Sequence, residues 1–221
     1  MNPAEIASRI RSNLALKIVL GLVLTGVWPT YLYIQRHPLF PVTAMSATWL
    51  DRTIPFSPGA VYLYESLWLF MPIAPWLMMS RAELARYTEG FALVCLVSFS
   101  FFVIHPTACP RPVGVHDANA LYEALIRTDN ELNAFPSLHA ALAVFHGACC
   151  HALFGRGERH GRTQLFIWIW AAGIVAATLL TKQHVIVDVV AGMILGFGGY
   201  VVFCRPSPMA VMAIRRDGGV R

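Results

Sequence analysis

The chain has 221 residues, 57% of them hydrophobic and only 13% charged, with a mean hydropathy of +0.56. Soluble domains run near half apolar and a quarter charged, so disorder, a coiled coil and a soluble nucleic-acid binder are excluded, and a single domain over 1–221 is expected. The net charge of +5 arises from 17 basic residues lying mostly between long apolar stretches and at the two ends, a pattern of membrane topology rather than of an anionic partner.

Stretches of about 20 apolar residues cross a bilayer. Six such helices are expected in chain order, at about 14–34, 59–79, 90–110, 136–154, 164–181 and 183–204, which makes the fold an all-α polytopic membrane protein. The first follows Arg9, Arg11 and Lys17, and its far end, Gly-Val-Trp-Pro-Thr-Tyr (26–31), offers no small-residue cleavage site, so it reads as a retained helix. Pro29, Pro72 and Pro75 are expected to kink their helices. Residues 35–58, with four prolines and Trp49-Leu50-Asp51-Arg52, read as an interfacial segment, and the long acidic connection 111–135 reads as a candidate for function. The termini and the connections 80–89 and 155–163 carry twelve Lys and Arg, against five (Arg36, Arg52, Arg111, Arg127, Lys182) in 35–58, 111–135 and 181–183. Both termini are therefore expected in the cytoplasm and the latter segments outside.

Ionisable residues in or beside membrane helices are costly and so point to function. Cys-Pro-Arg-Pro (109–112) ends the third span, Phe-Pro-Ser-Leu-His (135–139) opens the fourth, and Thr-Lys-Gln-His-Val-Ile-Val-Asp (181–188) turns the fifth into the sixth, all at the outer surface. His184 and Asp188 are four apart on one helix face, so the carboxylate can hold one imidazole nitrogen and leave the other free to attack. Steps of four from His184 reach Gly192 and Gly196, and from His139 reach Ala143 and Gly147; packing along these small-residue stripes is expected to bring the two histidines together. Both start helices whose N-termini suit an anion. Ser137 is expected to cap or donate, and Arg111 and Lys182 to grip phosphate. The chemistry this set supports is phosphoryl transfer, with His184 as nucleophile, His139 as acid to the departing oxygen, and cations on the equatorial oxygens.

Three further residues are candidate substrate contacts: Glu65 in the second span, and His105 and His116 flanking Arg111, for which the competing reading is an interfacial position. His146, Cys149, Cys150 and His151 can be drawn as metal ligands, but adjacent cysteines point in different directions and no second ligand pair is in sight, so packing is the better account. The five cysteines likewise read as packing residues. Neither metal nor other cofactor is expected.

At these residues the sequence resembles the type 2 phosphatidate phosphatase superfamily of membrane lipid phosphatases and phosphotransferases. Its three motifs are Lys followed at distance by Arg-Pro, then Pro-Ser-Gly-His, then Ser-Arg followed by His and, four later, Asp. Arg111-Pro112 matches the first, Pro136-Ser137-Leu138-His139 the second with Leu for Gly, and His184 with Asp188 the third. The family's Lys position holds Ile104 and its Ser-Arg pair falls on Ala177-Thr178; Lys182 would replace one missing cation. Pro-Ser-Leu-His, the run 51–58 and the short Lys-Gln-His approach are similar to the branch containing inositol phosphorylceramide synthases. The resemblance covers about 50–204 and implies a lipid phosphatase working through phosphohistidine at the outer leaflet. The alternative is a headgroup phosphotransferase of the inositol phosphorylceramide or sphingomyelin synthase type, and a non-enzymatic transporter or structural protein stays open because of the missing cations. The expected partners are a lipid phosphate and the membrane, with no nucleic acid, and the short loops suggest a bacterial inner membrane with the site facing the periplasm. Lipid, acceptor and oligomeric state stay open.

Overall fold

The computed structural model describes residues 3–112, 119–154 and 158–205. Helix α1 (Pro3–Arg11) leads into α2 (Leu14–Thr25) and α3 (Val27–Arg36), which together make one 23-residue apolar span. The break between them falls at Gly26, where Pro29 has no N–H to return to the carbonyl of Thr25. Beyond it come a two-residue strand, β1 (Thr43–Ala44), and a short helix, α4 (Trp49–Thr53).

The expected second span is not one helix. A 3₁₀ turn (Pro58–Ala60) is followed by α5 (Val61–Glu65), α6 (Leu67–Phe70) and α7 (Ile73–Leu77). Pro72 lacks the N–H that would bond the Trp68 carbonyl and turns the kink expected there into a break between α6 and α7, while Pro75 lies in the first turn of α7. Helix α8 (Arg81–Ile104) begins nine residues before the expected third span, within the stretch expected to be a connection. Its start is fixed by a capping box, in which Ser80 Oγ accepts from the Glu83 amide at 3.1 Å and Glu83 Oε2 accepts from the Ser80 amide at 2.9 Å. It stops at Ile104 because Pro106 disfavours helix at His105.

Strand β2 (Thr107–Ala108) pairs in parallel with β1, a small departure from an all-α chain that ties the segment after α3 to the segment after α8. The connection expected at 111–135 contains α9 (Ala120–Thr128), capped by Asn119. Three helices follow: α10 (Leu138–Leu153), α11 (Glu158–Leu180) and α12 (Ile186–Gly199), the last running on as a π-helical turn to Cys204. Among the described residues four helices are long and apolar enough to cross a bilayer: Leu14–Arg36, Arg81–Ile104, Gly161–Leu180 and Ile186–Cys204. At 16 residues α10 is shorter, about 24 Å at 1.5 Å per residue.

Helix α10 is the centre of the bundle, packed by α8, α11 and α12. Its approach to α12 is close enough to require glycine: a Cβ on Gly192 would lie 2.2 Å from the Ser137 carbonyl oxygen, and one on Gly196 would lie 2.0 Å from that of Ala141. The α12 stripe is thus as expected, but its partner stripe on α10 is Ser137 and Ala141, not Ala143 and Gly147. Gly147 faces Ala171 and Trp168 of α11 instead. The rotation is set by the Ser137 amide, which donates to the Asp188 carbonyl at 2.9 Å and so turns residues 137 and 141 toward α12.

Candidate active site

The site lies where α10 and α12 begin and α8 and α11 end. The His184 amide donates to the Thr178 carbonyl at 3.2 Å, closing the turn after α11, and Lys182 within that turn takes a left-handed conformation with φ 54°. His184 Nδ1 lies 2.9 Å from Asp188 Oδ2; the histidine is 9% exposed and the aspartate wholly buried. A neutral imidazole bonded this way carries its proton on Nδ1 and a lone pair on Nε2. Asp188 Oδ1 is buried with no hydrogen-bond partner among the described residues.

His139, in the first turn of α10, lies face to face with Tyr64 of α5, ring centroids 3.8 Å apart and planes 13° from parallel. Its Nε2 is also buried without a partner among the described residues. His139 and His184 line the same cavity, which encloses about 570 Å³ of empty space and is otherwise walled largely by apolar and aromatic side chains, with Asn133 beside the histidines. Ser137, wholly buried, caps α10: its Oγ accepts from the Ala140 amide at 3.3 Å.

The expected phosphate-binding cations are engaged by the protein. Arg111 spends its fork on the carbonyls of Asp129 and Asn130, both at 2.7 Å, and on Gln183 Oε1, leaving Nε buried without a partner among the described residues. Asp129 accepts from Tyr31 Oη at 2.9 Å and from Gln35 Nε2. Burial pushes its carboxyl above the ordinary range, against the Gln35 bond, the Arg111 charge and the Tyr31 bond. Lys182 Nζ donates to the carbonyls of Asp51 at 2.8 Å and Ile54 at 2.6 Å. Both cations still line a second, polar cavity with Asp51, Arg52 and His184, of about 790 Å³ of open space. They add positive potential beside His184 more than free donors.

The candidate substrate contacts lie elsewhere. Glu65 is half-buried at the end of α5, with Trp68 as its side-chain partner, and His105 is exposed at the end of α8; neither lines either cavity. His116 lies outside the described residues. His146 spends both ring nitrogens inside the core, at 2.7 Å from Tyr87 Oη and 2.7 Å from the Leu142 carbonyl oxygen, and no group of three or more His, Cys, Asp or Glu among the described residues is arranged to hold a metal ion.

A family model described as the PAP2 superfamily matches residues 30–202. The chain belongs to the PAP2 superfamily. Comparison with curated proteins and with solved structures gives no match. Membership supports a phosphatase- or phosphotransferase-type activity, and the apolar helices are those of an integral membrane protein, features that fit a membrane-embedded lipid substrate.

Two structural partners of the site escape the motifs. Tyr64 has no sequence signal beyond being aromatic. Asp51 has one: Thr48 and Asp51 have the spacing of a capping box, which caps α4, and the same carboxylate accepts from the Ile186 amide at 2.8 Å, the first residue of α12. The positive end of α12, expected to face phosphate, is thus partly occupied by Asp51.

Proposed function

We propose that this PAP2 protein is a lipid phosphatase acting through a phosphohistidine at the outer leaflet, without a metal. The observation that carries the reading is that His139 and His184 share one cavity while Asp188 holds the Nδ1 of His184. In this scheme His184 Nε2 attacks phosphorus, the bond from phosphorus to the lipid oxygen breaks, and protonated His139 gives its proton to that oxygen. The phosphate itself supplies the negative charge a buried imidazolium needs. Water then attacks the phosphohistidine, yields a proton to His139 and releases phosphate, which restores both rings. Arg111 and Lys182 support the phosphate by positive potential, and Ser137 fixes the first turn of α10 that carries His139. The chain crosses the bilayer six times, the broken α5–α7 stretch and short α10 serving as two crossings, with both termini cytoplasmic; short connections favour a bacterial inner membrane.

The second reading is headgroup transfer of the inositol phosphorylceramide synthase type, favoured by the basic cavity beside His184, which suits the hydroxyls of an alcohol headgroup. Replacing His184 by Ala is expected to abolish phosphate release from lipid phosphates in detergent and the acid-labile phosphate label on the protein. Full activity in this variant would remove the nucleophile assignment. Adding inositol or another polyol to the assay separates the readings: transfer exceeding release makes the protein a phosphotransferase.

A further inference from the structure

Helix α3 packs on α8 and α1 on α7, while α2 meets the core through Leu20 and Leu24. The cavity with His139 and His184 does not end beneath them. It shares Leu24, Trp68, Met71 and Phe91 with a neighbouring cavity that continues past Gly21 and Pro75 to Lys17. The two abut at these four residues, along the inner stripe of α2 and α3. From Tyr31 to Lys17 the helix rises about 21 Å at 1.5 Å per residue, against about 15 Å for the hydrocarbon of one leaflet. The far end is closed: Lys17 is 3% exposed, and its ammonium donates to the carbonyls of Arg9 at 2.6 Å and Trp76 at 2.8 Å and to Ser12 Oγ at 3.3 Å.

We infer that the two cavities form one channel that holds one hydrocarbon chain of the lipid substrate, running from the histidines to a floor at Lys17, and that Gly21 sets how long a chain is accepted. The inference rests on the histidines being the reacting groups. A hydrocarbon chain supplies dispersion contacts to an apolar lining of this kind. A partner helix is too thick: at about 10 Å across, a 21 Å length needs roughly 1,600 Å³, more than the two cavities offer together at about 570 and 700 Å³ with part of their walls shared. A single chain is thin enough, and only a chain attached to the reacting phosphate explains why the channel opens onto His139 and His184. Gly21 lines the distal cavity and a Cβ there meets nothing within 4 Å, so a larger side chain is accommodated without moving backbone.

The test uses the full-length protein in detergent with single-chain alkyl phosphates of six, ten and sixteen carbons, each carrying a diazirine at the chain end. Photolysis is expected to place the short probe on Trp28, Tyr31 or Trp68 and the long one on Lys17, Gly21 or Trp76, a ladder that tracks chain length. In Gly21→Phe the distal adducts disappear, and the ratio of sixteen- to six-carbon kcat/KM falls about tenfold, each methylene being worth up to about fourfold. Val19→Phe, on the outer face of α2 and 56% exposed, keeps the wild-type ratio and ladder. Long-probe adducts scattered over outward-facing residues, or a Gly21→Phe ladder like that of wild type, would overturn the channel. A correct ladder with no phosphate released keeps the channel and sinks the phosphohistidine reading. Phosphate release without a ladder does the reverse.

Discussion

At the scale of single residues, the two histidines differ in what surrounds them, and the difference fits the roles proposed for them. His184 has a buried carboxylate on Nδ1, which fixes its tautomer and stabilises positive charge on the ring as a bond forms at Nε2. His139 has no carboxylate; its partner is the Tyr64 ring, which fixes orientation without adding charge. A ring held in place and able to carry a proton to and from an oxygen suits acid–base work. Replacing His139 by Ala is therefore expected to slow esters with poor leaving groups about a hundredfold or more, and to slow activated aryl phosphates much less, since these need little proton donation. Steady-state rates across a series of leaving groups read this as a steeper dependence on leaving-group pKa. An unchanged slope would contradict the acid role.

At the scale of elements, the start of α12 is built by a segment far away in sequence. Asp51 joins the cap of α4 to the first amide of α12, and Lys182 in the preceding turn reaches back to the Asp51 and Ile54 carbonyls. Burial pushes the Asp51 carboxyl up, but the Thr48 and Ile186 bonds and the Lys182 charge outweigh it and hold the group below its ordinary value of 3.8. A depressed folded value contributes stability that is present above about 3.8 and lost as pH falls through the folded value. Asp51→Asn is thus expected to cost about 1–3 kcal/mol at pH 7, typical of a buried charge-assisted bond. Its deficit against wild type should shrink as pH drops below about 4. Thermal unfolding in detergent from pH 7 to pH 3 measures both curves, and a deficit independent of pH would show that the charge on Asp51 is not what holds α12.

The same elements show what could be read in advance. The α12 glycines were legible because they depend on spacing within one helix, which the sequence displays directly; the His184–Asp188 contact forms as expected at 2.9 Å, but from the turn before α12, since that helix starts only at Ile186. The partner stripe on α10 was misplaced because helix rotation is set across helices, here by the Ser137 amide on the Asp188 carbonyl. The helix-breaking prolines were legible in kind, but Pro72 turned an expected kink into a break between α6 and α7. Tyr64, Asn133 and the carbonyls that hold Arg111 were not legible, since nothing local distinguishes an aromatic residue or a loop carbonyl that will meet a motif residue from distant chain.

At the scale of the whole molecule, the described basic residues divide between the two ends of the bundle. Arg9 and Lys17 bond the carbonyls of Leu77 and Trp76, which places the starts of α1 and α2 beside the end of α7 and Arg81 at the start of α8. Gln35 at the end of α3 bonds Asp129, and Arg111, Lys182 and Arg52 gather around the cavity beside His184, so the opposite end carries the site. Among the described residues the end with Arg81 holds Arg9, Lys17 and, through the Cys204 bond to the Arg86 carbonyl, Arg86 and Arg205, and positive charge stays on the cytoplasmic side. The site should then face outward. In intact cells a membrane-impermeant maleimide is expected to label Arg52→Cys at once and Arg81→Cys only after permeabilisation. The unsubstituted protein gives the background, since four of its five cysteines are buried and Cys204 is half-buried. A reporter fused after Arg221 should be active only in its cytoplasmic form. The reverse pattern would place the histidines at the inner leaflet, so that any phosphate released would enter the cytoplasm and the lipids offered to the site would be those of that leaflet alone.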